Sequence, residues 1–152
     1  QRCKPRRDNF NMLDLRSCAG LELSREPFYC AVSIHHRLAV KDKLQLSDLY
    51  GERLMLMHRG WSHYVDQLRD DLWQFHPQIQ IVDFDFYNVD IFNRCENTND
   101  ILLAISGWAN VHPLLKVIPV EWAHSIPYGI LHSPTPTPTV QRFLDAAQAL
   151  YR

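Results

Sequence analysis

Apolar and polar residues alternate with a period of two in several short segments, which is the pattern of β-strands. Residues 27–34 alternate in this way, so this segment is predicted to be extended and largely buried. The short apolar run at residues 53–57 predicts a strand that is buried on both faces. Further strands are predicted at residues 79–87, 101–105, 117–120 and 126–131.

The period changes to three and four residues after Gly60, which is the pattern of an amphipathic helix. Ser62 is placed to cap this helix, because its hydroxyl can accept a hydrogen bond from a backbone N–H one turn on. Pro77 is predicted to end the helix. The residues predicted to face the core are Tyr64, Val65, Leu68, Leu72 and Phe75.

The same spacing predicts two further helices. One begins after Asn88 as its N-cap and ends at the turn residues 97–99, and the other begins at Pro138 after a Thr137 cap. The predicted inward residues of these two helices are Val89, Phe92 and Cys95, and Val140, Phe143, Leu144, Ala147 and Tyr151. Because strands and helices alternate along the chain, the predicted fold class is α/β.

The composition is that of an ordinary globular domain. Of 152 residues, 46% are apolar and 22% are charged, and 16 Lys and Arg stand against 17 Asp and Glu. A balanced charge argues against a surface that binds nucleic-acid phosphates or anionic lipid throughout. None of the 5 glycines has the spacing of a dinucleotide or P-loop phosphate site, which disfavours those classes of enzyme.

Cysteine usage and hydropathy predict a cytoplasmic protein without a membrane span. The four cysteines, Cys3, Cys18, Cys30 and Cys95, form no Cys-x-x-Cys pair, so reduced thiols are expected. Polar and charged residues interrupt the most apolar stretch, residues 101–123, and rule it out as a transmembrane helix. Because residue 1 is Gln, the chain is expected to be a piece of a longer protein or to be processed.

Catalytic and metal-binding chemistry has little support in the sequence. His58 and His63 lack the His-Glu-x-x-His pattern, and the adjacent histidines at residues 35–36 point to opposite faces of a strand, so no metal site is predicted. Asp83 and Asp85 share a face of one predicted strand and could form an acid–base pair, although a solvated strand face is the simpler interpretation. No catalytic residue and no cofactor are predicted.

One group of residues points to a ligand. Arg59, Gly60, Trp61, Ser62 and His63 lie where a strand ends and a helix begins, so N–H groups, a hydroxyl and a guanidinium can converge there. Such a corner suits a small anion. The structural alternative is that Ser62 only caps the helix and Trp61 only covers the edge of the core.

Several segments together resemble the effector-binding module of LysR-type bacterial transcriptional regulators. Glu26-Pro27, the strand that follows and residues 36–39, His-Arg-Leu-Ala, are similar to that family's strand and His-Pro-Leu-Ala step, with Arg37 in place of Pro. The most specific segment is residues 46–52, Leu-Ser-Asp-Leu-Tyr-Gly-Glu, which is similar to the family's Leu-x-Asp-Leu-x-Gly-Glu. Residues 97–100, Asn-Thr-Asn-Asp, stand where the family usually has a glycine-rich turn.

The resemblance implies two α/β subdomains of the type II periplasmic-binding-protein kind, joined by two crossing strands, with the first subdomain incomplete in this chain. Residues 1–36 would form part of the first subdomain and one crossing strand. Residues 37–125 would form the second subdomain. Residues 126–152 would supply the return crossing strand and the C-terminal helix of the first.

The resemblance also implies a function, which is not enzymatic. The module would bind a small metabolite, anionic or hydrogen-bonding, in the cleft between subdomains. It would form a homodimer or homotetramer and modulate DNA binding by an N-terminal winged helix-turn-helix that is absent here. Carried over by position, the effector-binding residues are Arg59, Trp61, Ser62, His63 and Asn88.

Two other functions are compatible with the sequence. A solute-binding protein of a transporter would share the cleft, although the cysteines and the lack of a secretory segment weigh against it. A catalytic fragment of a two-subdomain enzyme would rest on Asp83 and Asp85 alone.

Overall fold

The computed structural model describes residues 18–151, which contain six strands and three helices. Cys3 and the rest of residues 1–17 lie outside the described residues. The strands are β1 (Ala19–Ser33), β2 (Arg53–Met57), β3 (Gln80–Phe84), β4 (Ile101–Ile105), β5 (Leu115–Pro119) and β6 (Ser125–His132). The helices are α1 (His63–Phe75), α2 (Val89–Asn97) and α3 (Pro138–Leu150).

Five of these strands form the main sheet, in the order β3-β2-β4-β1-β5. β2 runs parallel to both β3 and β4, whereas β1 is antiparallel to β4 and β5. The carboxyl ends of β2, β3 and β4 therefore lie at one edge of the sheet, which we call the carboxyl edge. Phe28 pairs with Ile105 at the end of β4, so β1 enters the main sheet at this edge.

β1 is long because it belongs to two sheets. Its residues 28–33 pair with β4 and β5 in the main sheet, and its residues 19–27 pair with β6, from Ala19 opposite His132 to Pro27 opposite Ser125. We call the two-stranded sheet that residues 19–27 form with β6 the ribbon. The register shifts between Glu22 and Ser24, which marks a β-bulge. The ribbon thus leaves the main sheet at the carboxyl edge.

The two faces of the main sheet are covered by different helices. α1 places Leu68 and Leu72 against one face, where they join Leu54 and Leu56 of β2. α2 places Cys95 against the other, with the remaining members of that cluster being Ala31, Met55, Phe84, Leu102, Ala104 and Leu115. Neighbouring residues of a strand point to opposite faces, so the continuous apolar runs of β2 and β4 fill both clusters. The α/β fold class is confirmed. The main sheet and the helices on its two faces form three layers.

Two segments that carry the family resemblance contact each other. The buried His36 accepts a hydrogen bond at Nδ1 from Leu38 N (3.0 Å), and its Nε2 lies 3.3 Å from the Glu52 carboxylate. Arg37 pairs with the same carboxylate through Nε, at 2.7 Å, and also donates to the Asp48 carbonyl. Gly51 has a φ of +82°, a conformation that suits glycine. The two segments therefore form one structural unit.

Some side chains predicted to face the core are exposed. Phe75 lies in the last turn of α1 and Val89 is the first residue of α2, so both stand at the end of a helix. In α3 only Leu144 and Ala147 are buried. The predicted inward residues that are exposed are Phe75, Val89, Val140, Phe143 and Tyr151.

No helix within residues 18–151 is both long enough and apolar enough to cross a bilayer.

Candidate functional site

The loops that precede α1 and α2 both lie at the carboxyl edge. Residues 58–62 connect β2 to α1, residues 85–88 connect β3 to α2, and residues 106–108 follow β4. The ribbon leaves from the same edge. In open α/β sheets, ligands bind outside the carboxyl ends of the strands, where helix N-termini present free N–H groups.

Ser62 and Asn88 cap the two helices, as predicted. Ser62 is buried, with 8% of its surface exposed, and its hydroxyl accepts a hydrogen bond from Val65 N at 3.5 Å. Asn88 is exposed, and its Oδ1 accepts from Ile91 N at 2.9 Å. Each cap uses only an oxygen lone pair, so the Ser62 hydroxyl proton and the Asn88 amide N–H groups can still donate.

Aromatic rings form one wall of the site. Trp61 donates its indole N–H to Nε2 of His58, and its ring meets that of Phe86 edge to face, with centroids 5.0 Å apart. His58 Nδ1 lies 3.1 Å from the Arg59 carbonyl. The neutral imidazole with its proton on Nδ1 satisfies both contacts, because Nε2 then accepts and Nδ1 donates. Phe86 is exposed, so this wall is open to solvent.

Arg59 does not extend towards the start of α1. Its guanidinium lies 2.5 Å from Asp70, which is in the second turn of the helix. The hydrogen bond that Arg59 donates to the Asp70 carboxylate raises the pKa of Arg59 and lowers the pKa of the Asp70 carboxyl. His63 is exposed, and its ring lies 5.6 Å from that of Tyr64. Of the predicted residues, Trp61 thus packs against Phe86 and Ser62 caps α1, while Arg59 binds the side of α1.

Sequence reasoning missed three polar residues at the base of the ribbon. Arg25 lies with its guanidinium 5.4 Å from the centroid of the Tyr64 ring in the first turn of α1. Glu26 accepts a hydrogen bond from the Ser106 hydroxyl at the end of β4. The predicted strand begins at Pro27, although Leu21 and Leu23 alternate with Glu22 and Ser24 and could have extended it. Arg25 and Glu26 belong to the part of β1 that pairs with β6, and Ser106 directly follows β4.

The two aspartates considered as an acid–base pair have separate partners. Asp83 in β3 pairs with Arg69 of α1 at 2.6 Å. Asp85 follows the end of β3 and lies 3.7 Å from Nε2 of His58. Within residues 18–151, no group of three or more His, Cys, Asp or Glu side chains is arranged to hold a metal ion.

No protein-family model and no curated protein matches this chain. Solved structures do match. The regulatory domain of CcmR from Synechocystis PCC6803, in complex with 2-PG, superposes with a TM-score of 0.68 at 13% identity over 90% of this chain and 68% of that one. The effector-binding domain of QuiR, in complex with shikimate, gives 0.67 at 16% identity over 88% of this chain and 65% of that one.

A complete regulator extends the comparison. CbnR, a LysR family transcriptional regulator, gives a TM-score of 0.70 at 14% identity over 90% of this chain. The fold is that of a LysR effector-binding domain. This chain spans about two thirds of the matched effector domains and 48% of CbnR. The LysR effector-domain fold is of the type II periplasmic-binding-protein kind.

Proposed function

We propose that this chain is the effector-sensing part of a LysR-type transcriptional regulator. The observation that carries the proposal is the position of the ribbon. It leaves the main sheet at the carboxyl edge, beside the N-termini of α1 and α2, so a ligand bound there would contact both the sheet and the ribbon. No observation favours the alternative of a transporter's solute-binding protein.

The proposed effector site includes the five residues predicted from the sequence, Arg59, Trp61, Ser62, His63 and Asn88. Trp61 would offer an aromatic surface, and Ser62 and Asn88 would donate hydrogen bonds. Arg59 would have to leave Asp70 to reach a ligand, which costs little because ion pairs exposed to solvent are weak. Arg25, Glu26 and Ser106 would contact the ligand from the base of the ribbon.

The proposed mechanism is a population shift. The division into residues 1–36, 37–125 and 126–152 would place the site between two subdomains joined by the ribbon. A ligand that contacts both subdomains favours the arrangement in which they lie closer together, by as much as its affinities for the two states differ. Paired subunits of a homodimer or homotetramer in the cytoplasm would then present their N-terminal DNA-binding domains differently.

A ligand screen of the complete protein tests this proposal. A ligand that binds only the folded state raises the unfolding temperature, by an amount that grows with its concentration. The screen would begin with 2-PG and shikimate, the ligands of two similar structures, and continue through a library of small metabolites. The proposal expects a stabilising compound that also changes DNA binding. A stabilising compound without effect on DNA binding would contradict it.

The first prediction concerns the Ser62 hydroxyl. In the complete regulator, Ser62→Ala combined with Arg59→Gln should weaken binding of the compound found by the screen, while DNA binding without it is unchanged. The matched control is Thr137→Ala, because Thr137 caps α3 with a hydrogen bond to Val140 N at 3.3 Å. Loss of either cap costs about 1 kcal/mol of stability, so the control separates destabilisation from loss of ligand contacts. Titration calorimetry measures the affinity of each variant for the compound. Equal affinities in both variants would show that Arg59 and Ser62 are not part of the site.

A further inference from the structure

α1 holds the loop that precedes it through three side chains on one of its faces. Asp66, Arg69 and Asp70 are three and four residues apart, so they lie next to one another on the helix surface. Their partners are the last residue of β2 and two residues of the loop. The Asp66 carboxylate accepts from Gly60 N (3.1 Å), Arg69 donates to the Met57 carbonyl (2.6 Å), and Asp70 pairs with Arg59 (2.5 Å).

Arg69 differs from its neighbours in burial. Only 11% of its side chain is exposed, against 58% for Arg59 and 63% for Asp70. One end of its guanidinium donates to the carbonyl of Met57, the last residue of β2, and the other binds Asp83 of β3 at 2.6 Å. Charge-assisted hydrogen bonds are stronger than neutral ones; the bond to Met57 is partly shielded from water, whereas the Asp83 carboxylate is exposed. Arg69 therefore ties α1 to the ends of two strands.

Arg69 also destabilises the folded protein through one of its buried nitrogen atoms. Its Nε is buried and has no hydrogen-bond partner among the described residues. A buried donor without a partner lowers the stability of the folded protein, and an apolar side chain at this position would avoid that cost. The planar guanidinium is what allows one side chain to reach Met57 and Asp83 at once.

The residue after Met57 shows why the position of this carbonyl matters. His58 N donates to the Phe84 carbonyl at 3.0 Å, and the His58 ring accepts the indole N–H of Trp61. Gly60, between them, has a φ of +100°, a conformation that favours glycine and gives a sharp turn. A change at Met57 therefore alters the direction of His58 and, through it, the orientation of Trp61.

We propose that Arg69 is a positioning residue of the effector site. It touches no ligand itself but fixes the conformation of residues 58–62 before a ligand binds. This role as a site determinant rests on the proposed function. The fixed conformation of the loop is a separate property, which can be measured without any effector.

The test follows Trp61 directly in the complete protein. Tryptophan is replaced biosynthetically by 5-fluorotryptophan, and the 19F resonance of Trp61 is identified by its loss in Trp61→Phe. Arg69→Lys keeps the charge but cannot contact Met57 and Asp83 as a planar fork. The matched control is Arg53→Lys, because Arg53 pairs with Asp100 at 2.9 Å at the opposite end of β2.

Arg69→Lys should shift or broaden the Trp61 resonance and leave those of Trp108 and Trp122 in place, whereas Arg53→Lys should leave all four tryptophan resonances in place. Asp83→Asn, which keeps the shape of the partner but removes its charge, should give a smaller change of the same kind. An unchanged Trp61 resonance in Arg69→Lys overturns the proposal. So does a change in all four resonances, because that pattern indicates a general structural role. The absence of any effector in the ligand screen would contradict the proposed function but not this result.

Discussion

Cys30 and Cys95 illustrate how burial sets the chemistry of single residues. Both are fully buried, and they lie in the clusters on opposite faces of the main sheet. Burial raises the pKa of the Cys95 thiol to about 12, and burial together with nearby Cys95 raises the pKa of Cys30. The thiolate is the reactive form of cysteine, so neither thiol is suited to nucleophilic or redox chemistry in the folded protein.

The second prediction follows from this burial. In the native protein at pH 8, Cys30 and Cys95 should resist alkylation by iodoacetamide, because almost none of either thiol is ionised. Both should react readily when the chain is unfolded in urea. Mass spectrometry of the tryptic peptides measures the labelling of each cysteine separately. Labelling of native Cys95 as fast as in urea would contradict the assigned pKa shift.

Residue roles were predictable from the sequence where they depend on near neighbours. Ser62, Asn88 and Thr137 cap the helices as expected, because a cap needs only the three residues that follow it. The partner of Arg59 was not predictable in the same way. Asp70 comes within reach only because α1 packs with its second turn beside the loop.

At the scale of elements, Gly129 limits how the ribbon can be built. A Cβ added to Gly129 would lie 1.9 Å from the Leu21 carbonyl oxygen. No side-chain movement relieves a contact with backbone, so the two strands must separate. The close approach occurs next to the bulge between Glu22 and Ser24, where the register of the ribbon shifts.

The third prediction is that Gly129→Ala destabilises the ribbon. Overpacking of this kind typically costs about 1–3 kcal/mol. The matched control is Gly107→Ala, because a Cβ at Gly107 meets nothing within 4 Å and such surface changes usually stay within about 0.5 kcal/mol. Urea unfolding followed by circular dichroism measures both variants. Equal midpoints would show that the strands of the ribbon can move apart freely.

Element types were more predictable than element lengths. β2 and β4 have the predicted bounds, since their apolar runs end at polar or turn residues. β1 begins at Ala19, not at residue 27. Residues 19–26 form a strand through pairing with β6, which lies 100 to 113 positions later in the chain. The alternation of Leu21 and Leu23 with Glu22 and Ser24 was a short local signal for this strand.

At the scale of the whole molecule, stability should change within a single strand. Residues 28–33 of β1 are mostly buried, and residues 29–31 pair with strands on both sides, whereas residues 19–27 pair only with β6 among the described residues. Local opening requires less free energy where fewer buried contacts and hydrogen bonds are lost. The main sheet should therefore need more free energy to open than the ribbon does.

The fourth prediction expresses this difference as hydrogen exchange. In the 152-residue chain, the amides of residues 28–33 should exchange about a hundredfold more slowly than those of residues 19–26, which corresponds to about 2.7 kcal/mol of opening free energy. Exchange followed by NMR resolves the individual amides. Uniform protection along β1 would show that the main sheet and the ribbon open as one unit.

The overall architecture was predictable through a resemblance spread over many short segments. Residues 46–52 and the order of helices and strands indicated the LysR effector-domain fold, which the solved structures confirm. The composition of the proposed site was less predictable. Arg25 and Glu26 meet Tyr64 and Ser106 through packing between elements that are distant in the sequence. Arg69 meets Met57 through the packing of α1 against the strand that precedes it.

The pairing of Pro27 with Ser125 has a consequence for protein engineering. The segment of residues 28–124 begins and ends beside one pair of residues in the antiparallel ribbon. We call this segment, whose two ends are adjacent, the cassette. Trp122 and His124 seal its base, because Trp122 donates to the Phe28 carbonyl at 2.7 Å and Phe28 N donates to the His124 carbonyl at 3.0 Å. A chimera that exchanges the cassette between proteins of this fold therefore needs only two junctions, both within the same pair of strands.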